Sequence, residues 1–155
     1  MKREVYIVFY STGSYEDFCE NIAGVFDNKE SAIKCSKELD EKWEENTKIS
    51  EQIQQARDEL YDEIELKYIA IDKQKENLLG NLESKYQNKN SQEYLLGKEE
   101  IESKMNHLYE EVEKSIEVSI MEKLGITESV FYEAKKFDIY DEYNGSHVEP
   151  YELKS

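Results

Sequence analysis

The sequence contains few of the residues that build metal sites, disulfide frameworks or redox centres. It has two cysteines, two histidines and one proline among 155 residues. Cys19 and Cys35 are not spaced as zinc ligands, and His107 and His147 lie far apart in the chain. We therefore expect neither a metal site nor a bound cofactor.

The sequence also lacks the patterns of nucleophilic and phosphate chemistry. Gly13 stands alone, so neither a P-loop nor a dinucleotide-binding motif is present. Neighbouring carboxylates are frequent, but 36 acidic residues produce such pairs by chance. We expect a protein that is not an enzyme. The alternative, an enzyme or small-ligand sensor, would need a pocket lined by Tyr15, Phe18 and Cys19.

Long hydrophobic runs are absent as well. The apolar run Val5–Tyr10 is too short for a signal peptide and far too short for a membrane span. With so few cysteines, the expected compartment is a reducing cytoplasm. Asn144 begins a glycosylation sequon, which in that compartment is better explained as a turn.

Positively charged residues are outnumbered by negatively charged ones. Twenty Lys and Arg face 36 Asp and Glu, which gives a net charge of −16. Nucleic acid and anionic membranes would repel such a chain, whereas a basic protein surface would attract it. Acidic charge also keeps ordinary proteins soluble, so charge alone does not choose between these explanations.

Apolar residues recur at helical spacing through residues 50–124, and this pattern organises the rest of the chain. A polar stretch, Gln87–Ser91, separates two periodic segments, so the pattern predicts an antiparallel coiled-coil hairpin. The apolar stripe of the first helix is Leu60, Ile64, Tyr68, Ile71, Leu78, Leu82 and Tyr86. That of the second is Leu95, Ile101, Met105, Leu108, Val112, Ile116, Ile120 and Leu124.

A fold at the centre of this polar tip predicts which residues face each other. Ile71 should lie opposite Met105, and Leu60 opposite Ile116. Gly80 and Gly97 would also be opposite, either packed closely together or marking bent helix near the tip. The helix before the hairpin is expected to kink or restart near Ser50.

Both ends of the chain predict β-structure. Glu4–Tyr10 and Asn21–Phe26 have the composition of strands, with a possible bulge at Gly24. Asp27 is the expected cap of a helix whose apolar stripe covers the sheet. Thr127–Tyr140 is the expected third strand, and His147–Leu153 a short edge strand.

These elements predict an α+β fold in a single domain, 1–155. A small antiparallel sheet with one covering helix would come from residues 1–45 and 126–155. The coiled-coil hairpin arm would be inserted between them over residues 50–124.

Two segments place tyrosines between carboxylates, a combination that suits protein recognition because tyrosine is large, rigid and amphipathic. Each segment has a plainer explanation, namely a loop folded under the sheet or a strand pair with buried rings. The candidate partner-binding residues are Tyr15, Glu16, Asp17, Asp138, Tyr140, Asp141, Glu142 and Tyr143.

The N-terminal pattern resembles small uncharacterised proteins from phages and mobile elements of low-GC Gram-positive bacteria. The residues that carry the resemblance are Val5–Val8, Gly13–Asp17, Gly24–Asp27, Lys29–Ala32 and the late Tyr151–Leu153. The long hairpin departs from the short form of those proteins. The resemblance implies origin rather than activity, and accessory proteins of such genomes often inhibit host defence nucleases.

Two hypotheses of function follow. The first is a non-enzymatic acidic protein-binding module, a phage-encoded counter-defence inhibitor of the anti-CRISPR kind that mimics nucleic acid and occupies a basic nucleic-acid-binding surface. The second is a structural or adaptor protein whose helical hairpin forms a homodimer. In the second case the stripe edges would need cover, and these are Leu66, Ile69, Leu79, Tyr109 and Val118.

Overall fold

A computed structural model describes residues 2–137 and 142–154 and confirms the α+β class. The elements are β1 (Arg3–Thr12), β2 (Cys19–Phe26), α1 (Lys29–Glu59), α2 (Tyr61–Lys85), α3 (Gln92–Leu124), α4 (Glu128–Lys135) and β3 (Tyr143–Leu153). The chain divides into two compact units. The sheet unit comprises Met1–Gln52 and Thr127–Ser155, and the hairpin unit comprises Ile53–Ile126.

The three-stranded sheet is antiparallel, with β1 between β2 and β3. This central position explains why β1 is apolar on both faces, as its sequence predicted. Val8 pairs with Gly24 while Phe9 pairs with Ile22, so one extra residue, Ala23, makes a bulge beside the predicted glycine. β3 is an edge strand as expected, although it is longer than predicted and includes Tyr143.

One face of the sheet is covered by α1. The hydroxyl of Ser146 lies 3.0 Å from the carbonyl oxygen of Ser36 and 2.8 Å from Asp40 Oδ1, either of which can accept its one proton. Val8 lies on the same face of β1 as Tyr10, the partner of Ser146, and is fully buried. On the opposite face, Ile22 and other apolar side chains remain exposed.

The start of α1 differs from its prediction by one residue. The side chain of Asn28, not Asp27, accepts a hydrogen bond from the amide of Ser31 at 2.8 Å. Asp27 instead accepts from Arg3 at 2.7 Å. Both residue types cap helices well, so adjacent Asp and Asn leave the boundary undecided in the sequence.

The predicted third strand, Thr127–Tyr140, is wrong over its described part. Residues Glu128–Lys135 form α4, and the Thr127 side chain caps it by accepting from the amide of Val130. Phe131 and Ala134 are buried one helical turn apart. The run of Val, Phe and Tyr indicated a strand, but the Thr127 cap and the spacing of three between Phe131 and Ala134 favour the helix that forms.

The helix entering the hairpin does not restart near Ser50. α1 continues to Glu59 and is interrupted only at Leu60. The amide of Leu60 donates to Arg57 O at 3.1 Å, and that of Ile64 donates to Leu60 O at 3.0 Å. The helical turn is therefore kept across the interruption.

The predicted antiparallel hairpin is present as α2 and α3, and its second helix has defined ends. The Ser91 side chain accepts from the Tyr94 amide, and Gly125 ends α3 in the left-handed conformation with φ of 64°. Tyr94 is buried, whereas the predicted stripe residue Leu95 is exposed.

Two side-chain hydrogen bonds join the two helices of the hairpin. Tyr109 donates to Asp72, and Tyr68 donates to Glu113. The pairs Ile71–Met105 and Leu60–Ile116 stay predictions. The glycines do not face each other. A Cβ on Gly97 would lie 2.7 Å from Leu82 Cδ1, whereas one on Gly80 would meet nothing within 4 Å. The tip lies where the polar stretch Gln87–Ser91 predicted it, because α2 ends at Lys85 and α3 begins at Gln92.

Met105 tests the core of the hairpin unit because its side chain is 0 % exposed. Met105→Ala should lower the free energy of unfolding by about 2–5 kcal/mol, through lost burial and the cavity left behind. Leu95→Ala is the matched control, since Leu95 is 52 % exposed. Urea unfolding followed by circular dichroism measures both, and equal losses would contradict the assignment of the buried stripe.

Substitution of two glycines by alanine should change the stability of the protein in opposite directions. Gly125→Ala should destabilise the protein by about 1 kcal/mol, because alanine disfavours the left-handed conformation. Gly80→Ala should stabilise it by roughly 0.5–1 kcal/mol, since Gly80 lies inside α2 and its Cβ would be unobstructed. Thermal unfolding distinguishes the two, and a stabilising Gly125→Ala would contradict the cap.

Candidate functional site: an acidic cleft with an aromatic wall

The first predicted binding segment is a tight loop after β1. A 3-10 turn spans Tyr15–Asp17, and Tyr15 is 98 % exposed with a positive φ of 52°. Gly13 makes the loop possible, because a Cβ there would lie 2.1 Å from the carbonyl oxygen of Asp17. The loop therefore holds an aromatic ring in solvent beside two exposed carboxylates, at the cost of an unfavourable backbone conformation.

Hydrogen bonds bring this loop to the beginning of β3. The amide of Gly13 donates to the carbonyl of Glu142 at 2.6 Å, and the side-chain amide of Asn144 donates to Gly13 O at 2.8 Å. The carboxylate of Glu142 is exposed at the same end of the sheet. Two segments predicted separately from the sequence thus converge: Tyr15, Glu16 and Asp17 with Glu142.

Tyr143 has a packing role instead of a free surface position. Its ring stacks on Trp43 with centroids 4.7 Å apart and planes 3° apart, and Phe137 contacts Trp43 edge-on. Its hydroxyl donates to Asp40 Oδ1 at 2.5 Å. Partial burial is the largest cause that raises the pKa of Tyr143, and the hydrogen bond to Asp40 raises it further. The plainer explanation of this predicted residue is the one that its contacts favour.

A cleft of about 690 Å³ lies along this stack within the sheet unit. Trp43 and Tyr143 supply its aromatic wall. Its charged lining is mostly acidic: Asp40, Glu44, Glu51 and Glu142, with one cation, Lys48. Lys48 already pairs with Glu44 at 3.1 Å. The cleft therefore presents rings and uncompensated carboxylates, which suits a cationic group from outside.

Sequence reasoning missed most of this cleft. None of Asp40, Trp43, Glu44 and Glu51 was predicted as a site residue. Helical spacing is the signal that could have found them, since Asp40, Glu44 and Thr47 follow one another by one turn of α1. Three predicted site residues, Asp138, Tyr140 and Asp141, lie outside the described residues.

Two kinds of site were searched for over the described ranges. No group of three or more His, Cys, Asp or Glu there is arranged to hold a metal ion. None of the helices in these ranges is both long and apolar enough to cross a bilayer. Comparisons with protein-family models, curated proteins and solved structures find no match for this chain. Function is therefore inferred from the side chains themselves.

The part-buried hydroxyl of Tyr143 makes the free energy of unfolding depend on pH in the alkaline range. A phenol in an unfolded chain ionises near pH 10, whereas the raised pKa of Tyr143 keeps it protonated in the folded protein. The stability that Tyr143 contributes is thus present below about pH 10 and is lost as the pH rises toward the folded pKa. The difference in unfolding free energy between wild type and Tyr143→Phe should shrink from about pH 8 to pH 11.

Tyr15→Phe is the control for this measurement. Its ring is exposed, so at about pH 8 the substitution should change stability by less than roughly 0.5 kcal/mol. A gap for Tyr143→Phe that widens as the solution becomes more alkaline would contradict the assigned hydrogen bond.

Proposed function

We propose that this chain is a non-enzymatic protein-binding module that engages a basic surface through its acidic cleft. The observation that carries the proposal is the alignment of the Trp43–Tyr143 stack with the carboxylates of the cleft. An Arg or Lys side chain of a partner can contact the ring and pair with a carboxylate at once. The exposed ring of Tyr15 offers a second anchor in the same unit.

The charge of the whole molecule supports the same conclusion. A net charge of −16 attracts a basic partner over distances up to the Debye length, about 8–10 Å at physiological salt. Such attraction raises association rates and disfavours acidic partners. The ring contact within the protein illustrates the local chemistry, since Lys42 Nζ lies 5.7 Å from the centroid of Phe137.

The partner class that best matches these properties is a protein with a nucleic-acid-binding groove. Such grooves present Arg and Lys to phosphates, and carboxylates interleaved with aromatic rings imitate phosphates beside bases. Together with the resemblance to phage and mobile-element proteins, this supports an inhibitor of a host defence nuclease that works by occupying the groove.

A homodimeric scaffold is the second candidate function. Leu66, Ile69 and Val118 of the hairpin unit are exposed, as the prediction of uncovered stripe edges required. Leu79 and Tyr109, in contrast, are partly buried. Light scattering tests this candidate, because a monomer at micromolar concentration would exclude it. The strong like charge of two copies opposes such pairing.

Matched charge reversals test the proposed function. The variant Glu51→Lys/Glu142→Lys alters two exposed carboxylates of the cleft, and Glu99→Lys/Glu100→Lys alters two exposed carboxylates of α3. Both change the net charge equally. Tagged wild type should capture a basic protein from a low-GC Gram-positive lysate, and the cleft variant should capture at least about tenfold less, because close charge pairs with the partner are lost.

The control variant should retain most of the capture. Equal losses in the two variants would show that only total charge matters, and unchanged capture by the cleft variant would contradict the site. Quantitative mass spectrometry of the bound fraction provides the measurement.

A further inference from the structure

The hairpin unit carries a separate groove that the sequence analysis did not identify. It has a volume of about 540 Å³ and lies along the last turns of α1 and the first half of α2. Its lining residues are Gln54, Arg57, Asp58, Tyr61, Ile64, Glu65, Tyr68, Ile69 and Asp72. All of them belong to the hairpin unit, so the groove is independent of the acidic cleft.

The lining residues repeat with a spacing of seven. Gln54, Tyr61 and Tyr68 form one row, and Asp58, Glu65 and Asp72 form another. A heptad spacing keeps residues on one side of a helix, so these rows run along the same face. Backbone hydrogen bonds at Leu60 bridge the interruption between the two helices, and residues of both helices line the one groove.

The apolar part of the groove is open to solvent. Tyr61 is 61 % exposed and Ile69 is also exposed, while Ile64 is buried beneath them. Exposed apolar side chains beside a buried residue, arranged along several turns, form the kind of surface that accepts the apolar face of a helix. From Gln54 to Asp72 the surface extends over roughly 27 Å at 1.5 Å per residue.

The charges along the groove favour an occupant with positive charge. The one cation, Arg57, is neutralised because it donates two hydrogen bonds to Glu113, at 2.9 and 3.1 Å. The row Asp58, Glu65 and Asp72 therefore leaves the rim negative. A second copy of this acidic chain would bring like charge to the same rim, whereas a helix flanked by Lys or Arg would be attracted.

We infer that this groove binds a basic amphipathic helix of a partner protein. The apolar face of that helix would cover Tyr61, Ile64 and Ile69. Its Lys or Arg residues, about seven positions apart, would meet the row of carboxylates. This binding site goes beyond the proposed cleft, because it lies in the other unit and recognises a helix.

The probe for this inference is a synthetic peptide of about eighteen residues, long enough to span the groove. It contains only Leu and Lys, with Leu on one helical face. A scrambled peptide of the same composition keeps the charge but loses the apolar face, and a Leu/Glu peptide keeps the face but reverses the charge. Fluorescence anisotropy with the full chain measures each affinity.

Two pairs of variants locate the binding. Glu65→Lys should weaken binding of the Leu/Lys peptide by about fivefold or more, whereas Glu100→Lys, with the same charge change on α3, should weaken it less than about twofold. Tyr61→Ala should likewise weaken it, and Leu95→Ala should not. All four side chains are exposed, so folding is expected to persist and circular dichroism verifies it.

Three results would overturn the inference. The first is equal binding of the amphipathic and scrambled peptides, which would show attraction by charge alone. The second is equal loss of affinity in Glu65→Lys and Glu100→Lys. The third is self-association of wild type that Tyr61→Ala abolishes, which would identify a second copy as the occupant. Variants of the acidic cleft should leave the localised effect of Glu65→Lys unchanged.

Discussion

Exclusion of carboxylates from the interior is the constraint on which the rest of the structure depends. Thirteen hydrophobic side chains are buried in the described ranges, and no polar or charged residue is buried with them. Ionised carboxylates lose too much solvation to enter an apolar core without a partner. With 36 acidic residues in 155, each unit can build only a thin apolar layer, and none of the described acids is buried. The same composition that limits the core therefore creates the acidic surface that we propose for binding.

Side-chain hydrogen bonds in each unit join helices and strands that share only a thin apolar core. In the hairpin unit Glu113 accepts from both Arg57 and Tyr68, and Asp72 accepts from Tyr109. In the sheet unit Asp40 accepts from Tyr143 and Ser146. Each network joins different elements through a carboxylate at its centre. These acids join elements within each unit, whereas Glu51 and Glu142 of the cleft and Glu65 of the groove are exposed.

Periodic and composition signals predicted the elements better than their boundaries. The β1 run and the stripe through Met105, Ile116 and Ile120 gave the central strand and the buried face of α3. The hairpin tip was found because the polar residues Gln87–Ser91 interrupt the apolar spacing, and Ser91 caps α3 there. Phe131 was predicted in a strand because of the strand preference of its neighbours. That preference is weaker than a helix cap followed by buried residues at helical spacing.

The candidate site was only partly predictable for a different reason. The loop at Tyr15 and the acidic Glu142 were found locally, since aromatic and acidic residues alternate there. Trp43 and Asp40 join Tyr143 only through tertiary packing across about a hundred residues of sequence. No local pattern records that contact. The local alternation of tyrosines and acids therefore predicted Tyr143 as a partner-binding residue, although its ring packs on Trp43.

The central claim is that carboxylates beside aromatic rings bind a basic protein. Ionic strength tests it most directly, using the wild-type chain and the purified partner that it captures. Isothermal titration calorimetry should show the Kd rising at least about tenfold from roughly 0.05 M to 0.5 M salt, because screening weakens attraction between exposed charges. A Kd that stays constant over this range would contradict recognition by the acidic surface.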